Sequence, residues 1–199
     1  MKSREGTIVD ADDLLKEVVT VAGDAAKAIG GLEELPTEEQ DEIFRKVGMG
    51  ALKYQLIRIN PRKRITFDPE SSIDMQGVTG PYIQNAYVRI QSILKKLEGD
   101  IGSNDSANYQ LFEEEKELII QMNHYPTAIK EAAENYDPSI VANFSYNLAK
   151  AFHRFYQERS LINAESPEAK IFRVKLIREV AKVLKLSMAL LGIEMPKRM

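Results

Sequence analysis

Lys175, Arg178, Lys182 and Lys185 step by three, four and three residues, the spacing that places side chains on one face of a helix. At about 1.5 Å per residue the stripe extends roughly 15 Å, comparable with two or three nucleotides of single strand. Phosphates would suit it, and so would plain solvation of a helix face. A second set, Asn143, Phe144, Tyr146, Phe152, His153, Phe155 and Tyr156, crowds rings and amides into one segment. Rings of this kind stack on unpaired bases and amides read base edges. Aromatics at helical spacing are also core residues, which predicts that four of these five Phe and Tyr are buried.

Other chemistry has little to work with. There is no cysteine, hence no disulfide, thiolate metal site or cysteine nucleophile, and the only histidines are His124 and His153. No metal site is expected. Asp10, Asp12 and Asp13 lie close together, but a helix begins at once after them, and capping by carboxylate is the simpler reading. Arg62, Lys63 and Arg64 form a further basic cluster that either meets phosphate or faces solvent.

The charge is unevenly spread. Residues 1–136 hold 16 Lys and Arg against 24 Asp and Glu, a balance of -8, whereas 137–199 hold 11 against 6, a balance of +5. A basic segment at the end of an acidic chain fits a polyanion footprint. At 199 residues and 44% hydrophobic content the chain can bury a substantial core. With neither a membrane-length apolar run nor an apolar signal core after Met1, a cytoplasmic location is expected.

The elements that must position these groups read as helices. Apolar residues from Leu14 to Ile29 follow helical spacing, with Gly30-Gly31 as a stop. Thr37, followed by Glu38, Glu39 and Gln40, resembles a capped start of a second helix running towards Ile59, limited by Pro61. Ile65-Thr66-Phe67 reads as extended and Asp68 to Ser72 as a turn. Further helices are expected over 80–97, 108–122, 126–135, 138–156 and 166–191, with 98–105 as the most linker-like stretch. Ser166-Pro167-Glu168 sets cap, first-turn proline and first-turn acid in the favoured order, and Gly192 sits at a helix end. Phe172, Leu176, Ile177, Val180, Ala181, Leu184, Met188 and Leu191 form the core stripe of that last helix. The fold class is mainly α.

Several segments, in order, resemble the carboxy-terminal half of arginyl-tRNA synthetases. Met1-Lys2-Ser3-Arg4-Glu5-Gly6 is similar to that family's version of the class I K-M-S-K-S signature loop. Val47-Gly48-Met49-Gly50-Ala51-Leu52-Lys53-Tyr54 and Phe67-Asp68-Pro69-Glu70 resemble its helical connection, and Gly80-Pro81-Tyr82-Ile83-Gln84 with Ala86, Arg89, Ser92, Ile93 and Leu94 its G-P-Y-I-Q helix. Leu148-Ala149-Lys150-Ala151-Phe152 and the ending from Leu190 to Met199 look like the DALR-type anticodon-binding domain. Asn85 and Tyr87 stand where the family often has tyrosine and histidine, and His153 where asparagine is frequent. No H-I-G-H-like motif is present.

The resemblance implies a helical bundle of the class I synthetase anticodon-binding type, preceded by a helical connective segment. It divides the chain at 1–78, the end of a catalytic domain, and 79–199, the anticodon-binding domain. The intact enzyme would join arginine to tRNA using ATP with magnesium. Lys2, Ser3 and Arg4 would be a remnant of its catalytic loop, and this chain alone would need no cofactor and show no aminoacylation. Partners implied are arginine tRNA and the enzyme's amino-terminal catalytic part, with neither membrane nor DNA. Candidate tRNA contacts are Asn143, Tyr146, His153 and Tyr156 near the loop, Arg178, Lys182 and Lys185 for phosphate, and Met199. A freestanding tRNA-binding module and a structural helical adaptor are the alternatives.

Overall fold

The computed structural model describes residues 10–29, 32, 34–65, 68–97, 109–161 and 163–199. Among these residues there are eight helices: α1 (Ala11–Ile29), α2 (Thr37–Ile57), α3 (Pro69–Ser72), α4 (Gly80–Lys96), α5 (Glu113–Asn123), α6 (Tyr125–Asn135), α7 (Ser139–Glu158) and α8 (Pro167–Leu190). The mainly α class read from periodicity is what the chain adopts.

The Asp10 carboxylate accepts the Asp12 N–H at 2.8 Å, so this acid caps α1. Val18 and Ala22 of α1 meet Ile43, Phe44, Val47 and Ala51 of α2, with Leu32 and Ile73, in a first apolar cluster. A larger cluster joins α4, α5, α7 and α8 through Ile83, Ile90, Leu118, Leu148, Phe152, Phe155, Ile177, Leu184 and Met188. The helix shared by the two is α2. Its Val47 and Ala51 belong to the first cluster, while Tyr54 is wholly buried in the second and donates its hydroxyl to the Ala142 carbonyl at 3.2 Å. Burial holds the Tyr54 phenol well above its ordinary pKa.

α2 and α4 approach closely enough to require glycine. A Cβ on Gly80 would lie 2.4 Å from the Gly50 carbonyl oxygen, and one on Gly50 would lie 2.5 Å from the Gln84 amide. Gln84, also wholly buried, donates to the carbonyls of Lys46 at 3.1 Å and Glu194 at 2.8 Å, tying the carboxy-terminal tail to both helices. α8 ends with Gly192 at φ +67°, whose N–H donates to Ala189 while that of Ile193 donates to Met188, each at 2.9 Å. This paired closure by a left-handed glycine is what places the tail back against α2.

Several expectations need correction. Thr37 is the first helical residue, not a cap: Pro36 occupies the cap position without a side-chain bond. α2 stops at Ile57, because Pro61 has no N–H to return to the Ile57 carbonyl, and beyond the end the Asn60 side chain accepts the Arg62 N–H in a local turn at 3.0 Å. Asp68 to Ser72 contains the short helix α3, opened by proline at its first position. α5 begins at Glu113 instead of Asn108, since Glu115 reaches back to the Phe112 N–H at 2.9 Å. Phe172 is only half-buried, packed on Tyr109 with ring centres 5.3 Å apart. Thr66-Phe67, Gly30-Gly31 and the 98–105 stretch lie outside the described residues.

Candidate nucleic-acid interface

At 100° per residue, Asn143, Tyr146, Lys150 and His153 fall within about 80° on α7, the sector left open beside α4. Asn143 and Lys150 are exposed, and Tyr146 and His153 are half-covered. What covers them is Tyr82 of α4, whose ring centre lies 5.2 Å from that of Tyr146 and 4.7 Å from that of His153. Two turns along, Arg89 of α4 places Nη1 3.3 Å from His153 Nδ1 and its guanidinium 5.2 Å from the Tyr156 ring centre. The α4–α7 seam is thus a row of three tyrosines, an imidazole and a guanidinium in mutual contact. It is a surface on which flat, polar-edged groups can stack.

Four buried rings on α7 were expected, and three are found: Phe144, Phe152 and Phe155. Tyr156 is 39% exposed. Tyr146 is only half-buried because Tyr82, not a second core layer, lies over it. Asn143 donates one amide hydrogen to the Ser139 carbonyl at 2.8 Å, which leaves its second amide hydrogen and its side-chain oxygen for other partners. Burial, followed by the nearby Arg89 charge, pushes the His153 pKa down, with the Tyr82 backbone acting in the opposite sense. Burial and then Tyr146 raise that of Tyr82.

The tail forms the opposite bank of α4. Glu194 pairs with Arg45 at 3.2 Å, Met195 packs on the large cluster, and Met199 packs on the small one. Val88, Ser92, Lys95, Lys96, Arg198 and Met199 line a groove of about 550 Å³ there. Met199 therefore sits beside the outward stripe of α4, across that helix from the α7 rings.

The α8 cations are elsewhere. Ile177, Val180, Leu184 and Met188 turn inward among the helices of the large cluster, and Lys175, Arg178, Lys182 and Lys185, all exposed, occupy the reverse face. Their common face is as expected, and Lys185 borders the tail at Gly192 to Met195, while Arg178, Lys182 and Lys185 take no part in the contact row of Tyr146, His153 and Tyr156. Lys2, Ser3 and Arg4 lie outside the described residues. Arg62, Lys63 and Arg64 are exposed.

The interface includes residues that motif reading quoted without a role, or passed over. Tyr82 and Arg89 were part of the resemblance only; Lys150 was legible in principle, four residues after Tyr146 and three before His153. A larger omission is Arg173, fully buried on α8. Its Nε donates to Glu115 at 2.7 Å, Nη1 to the Ser160 carbonyl at 2.7 Å and to Glu165 at 2.8 Å, and Nη2 to Glu165 at 2.6 Å and Tyr109 at 3.1 Å. The network ties the start of α5 and the α7–α8 connection to α8. Beside it Arg159 pairs with Glu114 at 2.9 Å and holds that carboxyl down to about 2.

Comparison with known proteins agrees with the helical fold. Residues 83–199 match the model of the DALR anticodon binding domain family. The chain belongs to that family. Over its whole length it is 46% identical to an arginine–tRNA ligase of Bacteroides thetaiotaomicron and 45% identical to one of Flavobacterium psychrophilum. It spans about a third of the length of these curated relatives. Among solved structures, the arginyl-tRNA synthetase of Thermus thermophilus superposes on 96% of the chain with a TM-score of 0.86 at 27% identity, the match covering 32% of that protein.

Proposed function

We propose that this chain is the tRNA-binding portion of an arginine–tRNA ligase, and that the α4–α7 seam receives the anticodon loop. The observation that carries the reading is the contact row Tyr82, Tyr146, His153, Arg89 and Tyr156 within a domain of the anticodon-binding family. Unpaired bases stack on Tyr82, Tyr146 and Tyr156, Asn143 and His153 meet base edges, and Met199 edges the same surface across α4. A thioether packs well on a base. Arg178, Lys182 and Lys185, on the reverse face, hold phosphates away from the loop, where cations set affinity without reading sequence.

In the full-length enzyme the partner is arginine tRNA. The reaction joins arginine to it with ATP and magnesium, in the cytoplasm, and Lys2, Ser3 and Arg4 belong to the catalytic loop. Within this reading 1–78 closes the catalytic domain and 79–199 binds the anticodon. The chain alone carries out no aminoacylation. Among the described residues no helix is long and apolar enough to cross a membrane.

The test is binding of arginine-tRNA anticodon stem–loops to the chain. Substituting loop bases should weaken binding by at least about tenfold at one or more positions, whereas equal affinity for every loop would rule the reading out. A structural adaptor would bind no RNA at all.

A further inference from the structure

Only two buried side-chain polar atoms among the described residues have no hydrogen-bond partner, Gln84 Oε1 and His153 Nε2. The first belongs to a residue fixed by two other bonds within the α2–α4–tail junction. The second lies in the seam. A guanidinium has hydrogens to donate and nothing to accept with, so the Arg89 contact at 3.3 Å makes His153 Nδ1 the acceptor and puts the ring hydrogen on Nε2. That nitrogen makes no hydrogen bond within the protein, the Tyr82 backbone being the nearby group that acts on the ring. Tyr82 lies over the imidazole, and the Phe152 ring centre is 5.7 Å away. A buried N–H without a partner is costly, and the cost is removed by a ligand that accepts from it.

We propose that His153 is a specificity-determining residue: its Nε2–H, fixed by Arg89, donates to an acceptor on the edge of one unpaired RNA base that stacks on the Tyr82 ring. The inference rests on the anticodon-loop reading and adds to it which group discriminates and how. Tyr82 provides the stacking plane and, being half-exposed on α4, can swing outward with the base. Arg89 acts through His153 as a positioning residue, because without it either ring nitrogen could carry the hydrogen. A base able to stack but lacking an acceptor would keep the plane and lose the bond. The penalty falls on that one loop position, since a single donor can face a single base.

The experiment measures binding of the chain to stem–loops in which each loop base in turn is replaced by difluorotoluene, which stacks but accepts no hydrogen bond. The parent protein should lose about tenfold in affinity at one position beyond the loss from stacking. His153→Phe should bind the normal loop about tenfold more weakly and show no added loss at that position. His153→Gln, which keeps a donor near Nε2, should restore the discrimination, and Arg89→Met should lose part of it. Nitrogen-15 spectra should show the hydrogen on Nε2 in the parent and a tautomer mixture in Arg89→Met, a readout that loss of packing would not mimic. If His153→Phe still discriminates at the same position, or the spectra place the hydrogen on Nδ1, His153 is not the reader although the loop binds. Absence of RNA binding by the parent would overturn the anticodon reading and this inference with it.

Discussion

At the α4–α7 seam each ring or guanidinium touches another, whereas on the reverse face of α8 Lys175, Arg178 and Lys185 make no hydrogen bond or ion pair among the described residues. Lys182 there reaches only Glu179, at 3.4 Å. The two surfaces carry similar numbers of polar groups and different order. A seam of side chains in fixed mutual orientation can tell one flat group from another, because a wrong shape must disturb several contacts. Long cations that keep their freedom contribute attraction to any polyanion and little discrimination. The inner face of α8 adds a third case. Arg173 is as ordered as the seam but has no solvent access, and its work is to hold loops in place.

The largest expected effect separates the two faces of α8. Arg173→Met removes one side of a buried charge network and should cost about 3–5 kcal/mol of stability in urea or thermal unfolding, whereas Arg178→Met should cost under about 0.5 kcal/mol. Equal losses would show that burial does not separate them. Next, Tyr82→Leu or Tyr146→Leu should lower stem–loop affinity by about 10- to 100-fold, with little change in the salt slope. Reversing all four α8 cations to glutamate should do the opposite: the slope of log affinity against log salt should fall by about two, and the ranking of loop sequences should stay. A variant set that moves slope and ranking together would collapse the distinction between the surfaces.

The smallest effect lies beside Arg173. The Glu114 carboxyl, held at about 2 by Arg159, has a folded pKa below its unfolded value near 4.5. Its stabilising contribution is complete above about 4.5 and is lost as pH falls towards about 2. Glu114→Gln should therefore flatten the acid limb of the stability curve within that window and leave its shape above pH 5 unchanged, as read by thermal melts across pH.

Helices with a clean apolar period, such as α1, α4 and α8, were legible because each burial pattern is local to its own segment. α3 and the late start of α5 were not, since a four-residue helix has no period and the start depends on Glu115 reaching back past it. The site divides the same way. Tyr146 and His153 could be named from their spacing on one helix, but their covering partner Tyr82 and the orienting Arg89 come from a helix more than 60 residues earlier. Nothing in composition joins Arg173 to Glu115 and Tyr109; a lone arginine in an apolar stripe reads as an interruption until the fold supplies its acceptors. The placement of Met199 across α4 likewise depends on Gly192 turning the chain and on Gln84 accepting no substitute in a space closed by Gly50.

α2 gives Val47 and Ala51 to one apolar cluster and Tyr54 to the other. Neither cluster can open without exposing part of the same helix, so the two should exchange and melt as one unit instead of as a loose pair. Deuterium should enter the amides from Val47 to Tyr54 last, at the rate of global unfolding, while the ends of α1 and α6 exchange through local fraying.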